Sequence, residues 1–247
     1  VKTRLKAGSY SALTLIHNES STGALADVRG IAAVAREAGV ATIVDSVSGM
    51  GGARLEFDAW GVDCVVSASQ KALALPTGLA FAVVSESYFR SISEVNDRGV
   101  YFDLLEFDEH ARNDETPATP NVSLIFALER QAGHISAEGM EGRWARHEAM
   151  RATMERWVGR TRDSLDLEIA IIAKPGVRSP TVTAVSLPAG MVSTELVRKV
   201  AERGYTIGTG YGELRSTTFR VGHMGDHTVA GLESCLEAVA DGLAGMR

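Results

Sequence analysis

The sequence lacks any long apolar run, which argues against a membrane-spanning protein. No stretch of its 247 residues reaches the roughly 20 apolar residues that a membrane-spanning helix requires. It also lacks an excess of basic residues: 25 lysines and arginines stand against 31 acidic residues, a formal net charge of −6. A nucleic-acid-binding surface normally needs a basic excess. We therefore expect neither a membrane nor a nucleic acid as partner.

Cysteine is scarce, and the familiar nucleotide-binding motifs are missing. Cys64 and Cys235 lie far apart and show no metal-ligand spacing, so we expect two reduced thiols, no metal site and a cytoplasmic location. The glycines of "GMGG" at Gly49–Gly52 do not have the G-x-G-x-x-G spacing, and there is no Walker A sequence. The opening residues do not show the pattern of a signal peptide, so we expect none.

What the sequence does contain is a series of short apolar runs separated by helical patterns. The runs at Ala12–Ile16, Ala41–Val44, Cys64–Val66 and Leu79–Val84 are typical of buried strands, and Val28–Ala38 has the apolar spacing of a helix. Continuous apolar strands alternating with helices predict a mostly parallel sheet covered on both faces. The expected fold class is therefore α/β.

The second half of the chain has a different pattern. A long charged helix is predicted over Arg143–Leu165, and strand-like sequence restarts at Pro180–Pro188. The glycines of "GTGYG" at Gly208–Gly212 predict a flexible loop. We expect a large domain over residues 1–140 and a small α+β domain over residues 141–247.

Three polar clusters directly follow predicted strands, at His17–Thr22, Asp45–Ser48 and Ser67–Lys71. In parallel α/β sheets, ligands bind beyond the carboxyl ends of the strands. The three clusters are therefore expected to converge on one site.

Asp45 and Lys71 are the most informative residues of these clusters. Lys71 lies in an almost uncharged stretch, where an amine can attack a carbonyl and form a Schiff base, although a lysine that reaches out to water is the alternative. Asp45 is either a turn residue or the partner of a buried cation, such as a protonated pyridine nitrogen.

Four segments together resemble one enzyme family, the class V aminotransferases. They read "HNESSTG", "VDSVSGMGG", "SASQKALALPTGLAF" and "TTFRVGHMGD". These enzymes use pyridoxal 5'-phosphate and have the aspartate-aminotransferase fold, and the sequence is most similar to the alanine–glyoxylate and serine–glyoxylate group. The resemblance covers nearly the whole chain.

The resemblance implies a set of cofactor contacts. Lys71 would form the Schiff base and move the proton at the substrate α-carbon. Asp45 would pair with the pyridinium nitrogen, and Val47 would pack on one face of the ring. Ser20 would bind the ring hydroxyl, and Gln70 would contact the phosphate.

It also implies how substrate and subunits meet. Arg220 would bind the α-carboxylate of the substrate, although an edge-strand surface arginine is the alternative. Either Thr116 or Thr119, in "TPATP", would reach the phosphate in a neighbouring subunit, so a homodimer with a shared active site is expected. The implied reaction moves an amino group from alanine or serine to a 2-oxo acid such as glyoxylate or pyruvate.

The sequence departs from the family at its beginning. We expect the N-terminal portion of the large domain to be absent, because no loop for the phosphate and no stacking aromatic is found. Two alternatives stand beside the aminotransferase. Lyases that use the same cofactor share the fold and the lysine, and the missing phosphate loop favours a truncated, non-catalytic chain.

The histidines are expected to have structural roles. The sequence predicts that His17 lies in a turn and bonds to the backbone, with a catalytic base as the alternative. His223 is expected to help position the strand of Arg220, and His147 to lie on a helix surface or at a cap.

Overall fold

The computed structural model describes the backbone of residues 1–247 and every side chain except that of Ala7. The strands are β1 (Ala12–Ile16), β2 (Asn18–Glu19), β3 (Ala24–Leu25), β4 (Ala41–Asp45), β5 (Cys64–Ala68), β6 (Ala80–Val84), β7 (Ala170–Ile171), β8 (Val182–Ser186), β9 (Gly208–Thr209) and β10 (Thr218–Gly222). The helices are α1 (Lys2–Ala7), α2 (Val28–Glu37), α3 (Phe57–Trp60), α4 (Glu86–Ser93), α5 (Leu104–Arg112), α6 (Val122–Glu138), α7 (Met140–Leu165), α8 (Ser193–Ala201) and α9 (Val229–Ala244).

The first sheet has the strand order β1-β4-β5-β6. Strands β1, β4 and β5 are parallel, and the register places Asp45 opposite both Ile16 and Val66. Strand β6 runs antiparallel to β5. The segment 69–79 between them contains no helix, whereas a parallel return usually needs a crossover of a dozen or more residues. The expected α/β architecture is confirmed, with one antiparallel edge strand.

The second sheet is antiparallel throughout, in the order β7-β8-β10-β9. Along β10, Phe219 and Val221 are buried in a core formed with helices α7, α8 and α9, while Arg220 between them is half-buried. This alternation follows from the pleat of a strand, which turns successive side chains to opposite faces. Arg220 is thereby held on a rigid element, with its side chain turned away from that core.

One sequence-based expectation about this sheet is wrong. The "GTGYG" segment is not a free loop, because Gly208 and Thr209 form β9 and pair with Arg220 and Phe219 of β10. Gly212–Leu214 then forms a short 3-10 turn. Pairing with a strand distant in sequence overrides the local preference of glycine for irregular structure.

In the sequence, all strands of the first sheet precede the predicted domain boundary and all strands of the second sheet follow it. Helix α7 begins at Met140, next to this boundary. The division into residues 1–140 and 141–247 stays a prediction. No helix among the described residues combines the length and the apolar character that crossing a membrane requires.

Phe219 offers a test of the second core. Its side chain is fully buried and meets Trp157 edge to face at 6.4 Å between ring centroids. We expect Phe219→Ala to lower the free energy of unfolding by about 3–5 kcal/mol, because it leaves a cavity. The matched change Phe126→Ala, at a side chain that is 66% exposed, should stay within about 0.5 kcal/mol of the wild type in urea unfolding. Equal losses from both changes would contradict this assignment of the core.

Candidate active site

The three polar clusters converge at the carboxyl ends of the parallel strands, as expected. The Nδ1 atom of His17 lies 2.8 Å from the hydroxyl of Ser46, and the hydroxyls of Ser20 and Ser48 are 2.6 Å apart. The hydroxyl of Ser67 donates to the backbone oxygen of Ser46 at 3.2 Å. Because successive parallel strands end at the same edge of the sheet, three separate sequence segments build one polar surface.

Asp45 is the last residue of β4, and its carboxylate is exposed. One oxygen, Oδ1, accepts a hydrogen bond from the backbone N–H of Val47 at 2.9 Å. Asp45 therefore does stabilise a turn, one of the two roles considered from the sequence. This bond also fixes the carboxylate in place, and no other hydrogen bond to it is found among the described residues. The second oxygen is left for a bound cation. Val47, two residues after Asp45, is half-buried.

Lys71 lies in the turn after β5. Its backbone oxygen accepts from the N–H of Ala74 at 2.9 Å, and the same turn is held by a hydrogen bond from the hydroxyl of Ser69 to the backbone oxygen of Pro76 at 2.7 Å. The side chain is half-buried, and no carboxylate of the described residues lies within ion-pair distance of its amine. Gln70, beside it, is exposed. The backbone of Lys71 is thus anchored while its amine has no competing charge partner.

Arg220 connects the second sheet to this polar surface. Its Nε donates to the backbone oxygen of Thr209 at 2.7 Å, and Nη1 donates to the backbone oxygen of Ser20 at 3.2 Å. The guanidinium carbon lies 3.7 Å from the centroid of the Tyr211 ring. Interaction with Arg220, followed by the charge of Lys71, lowers the pKa of the Tyr211 hydroxyl. Arg220 is therefore stacked directly on Tyr211.

Tyr211 itself was missed by the sequence analysis. It lies inside "GTGYG", where the glycines predict a flexible loop, and a loop gives no reason to assign a role to its aromatic side chain. Tyr211 lies eight residues before the "FRVG" segment, which is close enough for the two segments to pair as neighbouring strands. Only the pairing of β9 with β10 in the structure reveals the contact with Arg220.

Thr116 and Thr119 are not joined to this group of residues. Both are exposed, and the hydroxyl of Thr116 donates to the backbone oxygen of Ala118 at 2.7 Å. Among the described residues neither forms a side-chain hydrogen bond to Asp45 or Lys71. Their predicted contact with a neighbouring subunit stays a prediction.

Arg143 of α7 is the buried residue that ties the segments together. Its side chain is 1% exposed. Nε donates to the backbone oxygen of Gly51 at 3.0 Å, and Nη2 donates to that of Ala72 at 2.6 Å. The same guanidinium pairs with Glu138 at 2.8 Å and with Asp226 at 3.2 Å. One side chain therefore holds the segment that follows Asp45, the residue after Lys71, and the loop that follows Arg220.

The glycines of "GMGG" now have a packing explanation. A Cβ atom on Gly49 would lie 2.5 Å from Nδ1 of His17, and one on Gly52 would lie 2.9 Å from the ring of His147. Side chains at these positions would displace the two buried rings. Gly49 and Gly52 are therefore explained by the packing of His17, His147 and the methyl group of Thr181 against their backbone, without a dinucleotide.

His147 corrects the expectation of a surface or capping residue, because it is fully buried. Its Nδ1 lies 2.7 Å from the backbone oxygen of Arg143, and Nε2 accepts from the N–H of Gly225 at 3.1 Å. His223 is also fully buried, and its Nε2 lies 2.8 Å from the hydroxyl of Thr183 on β8. That contact links the end of the Arg220 strand to its neighbour, as the sequence suggested.

Comparison with known proteins gives the family. The family model described as aminotransferase class-V matches residues 3–213. The chain belongs to the class V aminotransferases. It spans little more than half the length of the curated relatives that it matches.

Individual class V relatives and structures are similar over most of this chain. An uncharacterized aminotransferase of Methanocaldococcus jannaschii is 36% identical over 225 residues, covering 89% of this chain and 56% of that protein. A serine–glyoxylate aminotransferase of Methylorubrum extorquens is 30% identical, covering 90% and 56%. The crystal structure of alanine–glyoxylate aminotransferase from a Nostoc species superposes with a TM-score of 0.86 at 27% identity, covering 98% of this chain and 64% of that one.

Membership of the class V aminotransferases implies pyridoxal 5'-phosphate as cofactor, and the side chains of this site fit it. Lys71 offers an amine without an ion-pair partner, and Asp45 offers an exposed carboxylate oxygen. Asn18 is buried, and neither Oδ1 nor Nδ2 of its amide has a hydrogen-bond partner among the described residues. A buried amide without partners is costly, so a polar bound group beside it would be stabilising.

The role of Arg143 can be measured against another arginine of the same helix. We expect Arg143→Met to lower the free energy of unfolding by about 2–4 kcal/mol, because it leaves the oxygens of Gly51 and Ala72 without their donors. Arg162→Met removes only an exposed ion pair and should change stability by less than about 0.5 kcal/mol. Urea unfolding compares them, and an Arg143→Met protein as stable as Arg162→Met would refute the role.

Three buried histidines predict acid sensitivity. Burial lowers the pKa of His17 and of His147 from 6.5 to about 4, and that of His223 to about 3. Between pH 6.5 and these values the unfolded chain binds more protons than the folded one. The stabilisation from keeping these rings neutral is therefore complete above about pH 6.5 and is lost as the pH falls.

We expect the free energy of unfolding to fall between pH 6.5 and pH 5 by up to about 1.4 kcal/mol per pH unit for each histidine. Urea unfolding at a series of pH values measures it, and His134→Asn, at an exposed position, is a control that should keep the same slope. A flat profile over this range would show that the histidines are not held neutral by burial.

Proposed function

We propose that this protein is a pyridoxal-phosphate-dependent aminotransferase that moves an amino group from alanine or serine to a 2-oxo acid such as glyoxylate or pyruvate. The observation that supports it best is the placement of an unpaired amine, an exposed carboxylate and a fixed arginine around one polar edge. Asp45 ends β4, Lys71 follows the adjacent strand β5, and Arg220 of the second sheet donates to the backbone oxygen of Ser20.

Each side chain has a role that its surroundings suit. When bound, the cofactor supplies an electron-poor ring that stabilises negative charge at the substrate α-carbon. Asp45, fixed by the N–H of Val47, would hold the proton on the ring nitrogen. Val47 would pack against the ring, Ser20 would bind its hydroxyl, and Gln70 would contact its phosphate.

Lys71 and Arg220 would act on the substrate. The Lys71 amine would hold the cofactor covalently and then move a proton at the substrate α-carbon. Arg220 would bind the α-carboxylate, since a guanidinium presents parallel N–H donors to two carboxylate oxygens. The bonds from Arg220 to Thr209 and Ser20 fix the direction of the guanidinium before the substrate arrives.

A homodimer with a shared active site is part of the proposal. Val100, Tyr101 and Phe102 are consecutive apolar residues, each more than 75% exposed. Such a cluster on a protein surface marks an interaction site more often than chance. It is close in sequence to Thr116 and Thr119, which would reach the phosphate of the neighbouring subunit. A cytoplasmic location stays a prediction from the two reduced thiols.

Among the lyase reactions, desulfuration is disfavoured because it needs a reactive cysteine. Cys64 is buried within β5, and Cys235 is half-buried within α9. Burial raises the pKa of both thiols, which disfavours the thiolate that desulfuration requires. Neither cysteine belongs to the loops of the site. The structure therefore favours amino-group transfer over sulfur removal.

The test is transamination with added pyridoxal 5'-phosphate, in which alanine and glyoxylate yield pyruvate and glycine. We expect Lys71→Arg to lower kcat by at least about 100-fold, because it removes the group that moves the proton. Lys174→Arg, at an exposed position, should retain the wild-type rate. Arg220→Lys should raise the KM for alanine about tenfold, because lysine cannot bind a carboxylate with parallel donors.

Two results would refute the proposal. The first is wild-type activity in Lys71→Arg. The second is a wild-type protein that binds the cofactor but produces no glycine from alanine or serine, which would favour a lyase or a non-catalytic chain.

A further inference from the structure

The contact between Tyr211 and Arg220 is not explained by the family motif or by the roles proposed above. The Tyr211 ring covers one face of the Arg220 guanidinium at 3.7 Å from its carbon to the ring centroid. Stacking on an aromatic ring attracts the cation and leaves the N–H groups free at the edge of its plane. Because Tyr211 is 55% exposed, this stack, rather than burial in a core, accounts for the position of its ring.

The edge of the guanidinium is partly occupied as well. Nε donates to the backbone oxygen of Thr209 and Nη1 donates to that of Ser20. One further N–H of Nη1 and both of Nη2 remain. Gly208 leaves room beside this free end, since a Cβ atom there would lie 3.3 Å from Nη2. A carboxylate can therefore meet Arg220 only at the Nη end of its plane.

We propose that Tyr211 is a positioning residue for the substrate carboxylate, which holds the Arg220 guanidinium flat so that its free Nη edge faces the incoming group. This inference rests on the proposed role of Arg220. The Tyr211 ring covers one face of the guanidinium, and the backbone oxygens of Thr209 and Ser20 fix the orientation of the guanidinium within its plane. The expected ligand is a small monocarboxylate such as an α-amino acid.

The stack also makes Tyr211 a reporter of carboxylate binding. The interaction with Arg220, with a smaller contribution from the charge of Lys71, lowers the pKa of the Tyr211 hydroxyl. A carboxylate bound to Arg220 neutralises the larger of these two effects, so it must raise that pKa. The measurement is made on the cofactor-free protein, so that the Lys71 amine is unmodified and its contribution to the Tyr211 pKa does not change.

The experiment is an ultraviolet titration of tyrosine ionisation with sodium acetate or with sodium chloride at equal ionic strength. The chain has five tyrosines, so the difference between the wild type and Tyr211→Phe isolates Tyr211. We expect acetate to raise its ionisation midpoint by about half a pH unit, and expect no such rise in Arg220→Met. An unchanged midpoint, with acetate binding shown by NMR line broadening, would overturn the inference.

Kinetics provides a second readout that separates positioning from folding. Tyr211→Phe keeps the stacked ring and should retain the wild-type KM for alanine. Tyr211→Leu removes it and should raise that KM about 2- to 5-fold with little change in kcat. Equal KM values for Tyr211→Phe and Tyr211→Leu would overturn the inference.

The failures are distinguishable. Acetate binding without a response of Tyr211 rejects the positioning role alone and leaves Arg220 as the carboxylate site. A wild-type protein that binds no acetate rejects the role of Arg220, and the inference about Tyr211 with it.

Discussion

Arg143 places a full positive charge where almost no water reaches it, and the rest of the site depends on how that charge is satisfied. A buried guanidinium is stable only when its donors and its charge are matched. Here the partners are the backbone oxygens of Gly51 and Ala72 and the carboxylates of Glu138 and Asp226. Satisfying one side chain thus brings together the segments after β4, β5 and β10, which follow Asp45, Lys71 and Arg220 in the sequence.

Around Arg143, polar side chains also connect the first sheet to the second. The hydroxyl of Thr181 donates to the backbone oxygen of Ser48 at 2.7 Å, and Arg220 reaches Ser20. Buried neutral histidines fill the space next to the glycine-rich segment. The outcome is a rigid edge on which Asp45, Lys71 and Arg220 remain accessible. Rigid placement of charged groups is what the proposed binding of a polar cofactor and a small amino acid in fixed orientations needs.

The sequence predicted the parts of the site that follow strands, because strand ends can be read locally. Asp45 and Lys71 each close an apolar run, and parallel strands bring such ends together. Arg143 and His147 could not be found in this way. On a charged helix they look like neighbouring surface residues. The backbone oxygens that Arg143 binds lie 71 and 92 residues away in the sequence, so its burial cannot be read locally. Tyr211 was hidden for the same reason, since its contact with Arg220 depends on the pairing of β9 with β10.

The most direct test of the account is borohydride reduction of the protein after incubation with pyridoxal 5'-phosphate, followed by peptide mapping. The account predicts one stoichiometric label, on the peptide that contains Lys71, because the backbone of this residue is anchored and its amine is free of ion pairs. Label spread over exposed lysines such as Lys2 and Lys174, with Lys71 unmodified, would contradict it. In that case the convergence of Asp45, Lys71 and Arg220 would be a feature of packing, without cofactor chemistry.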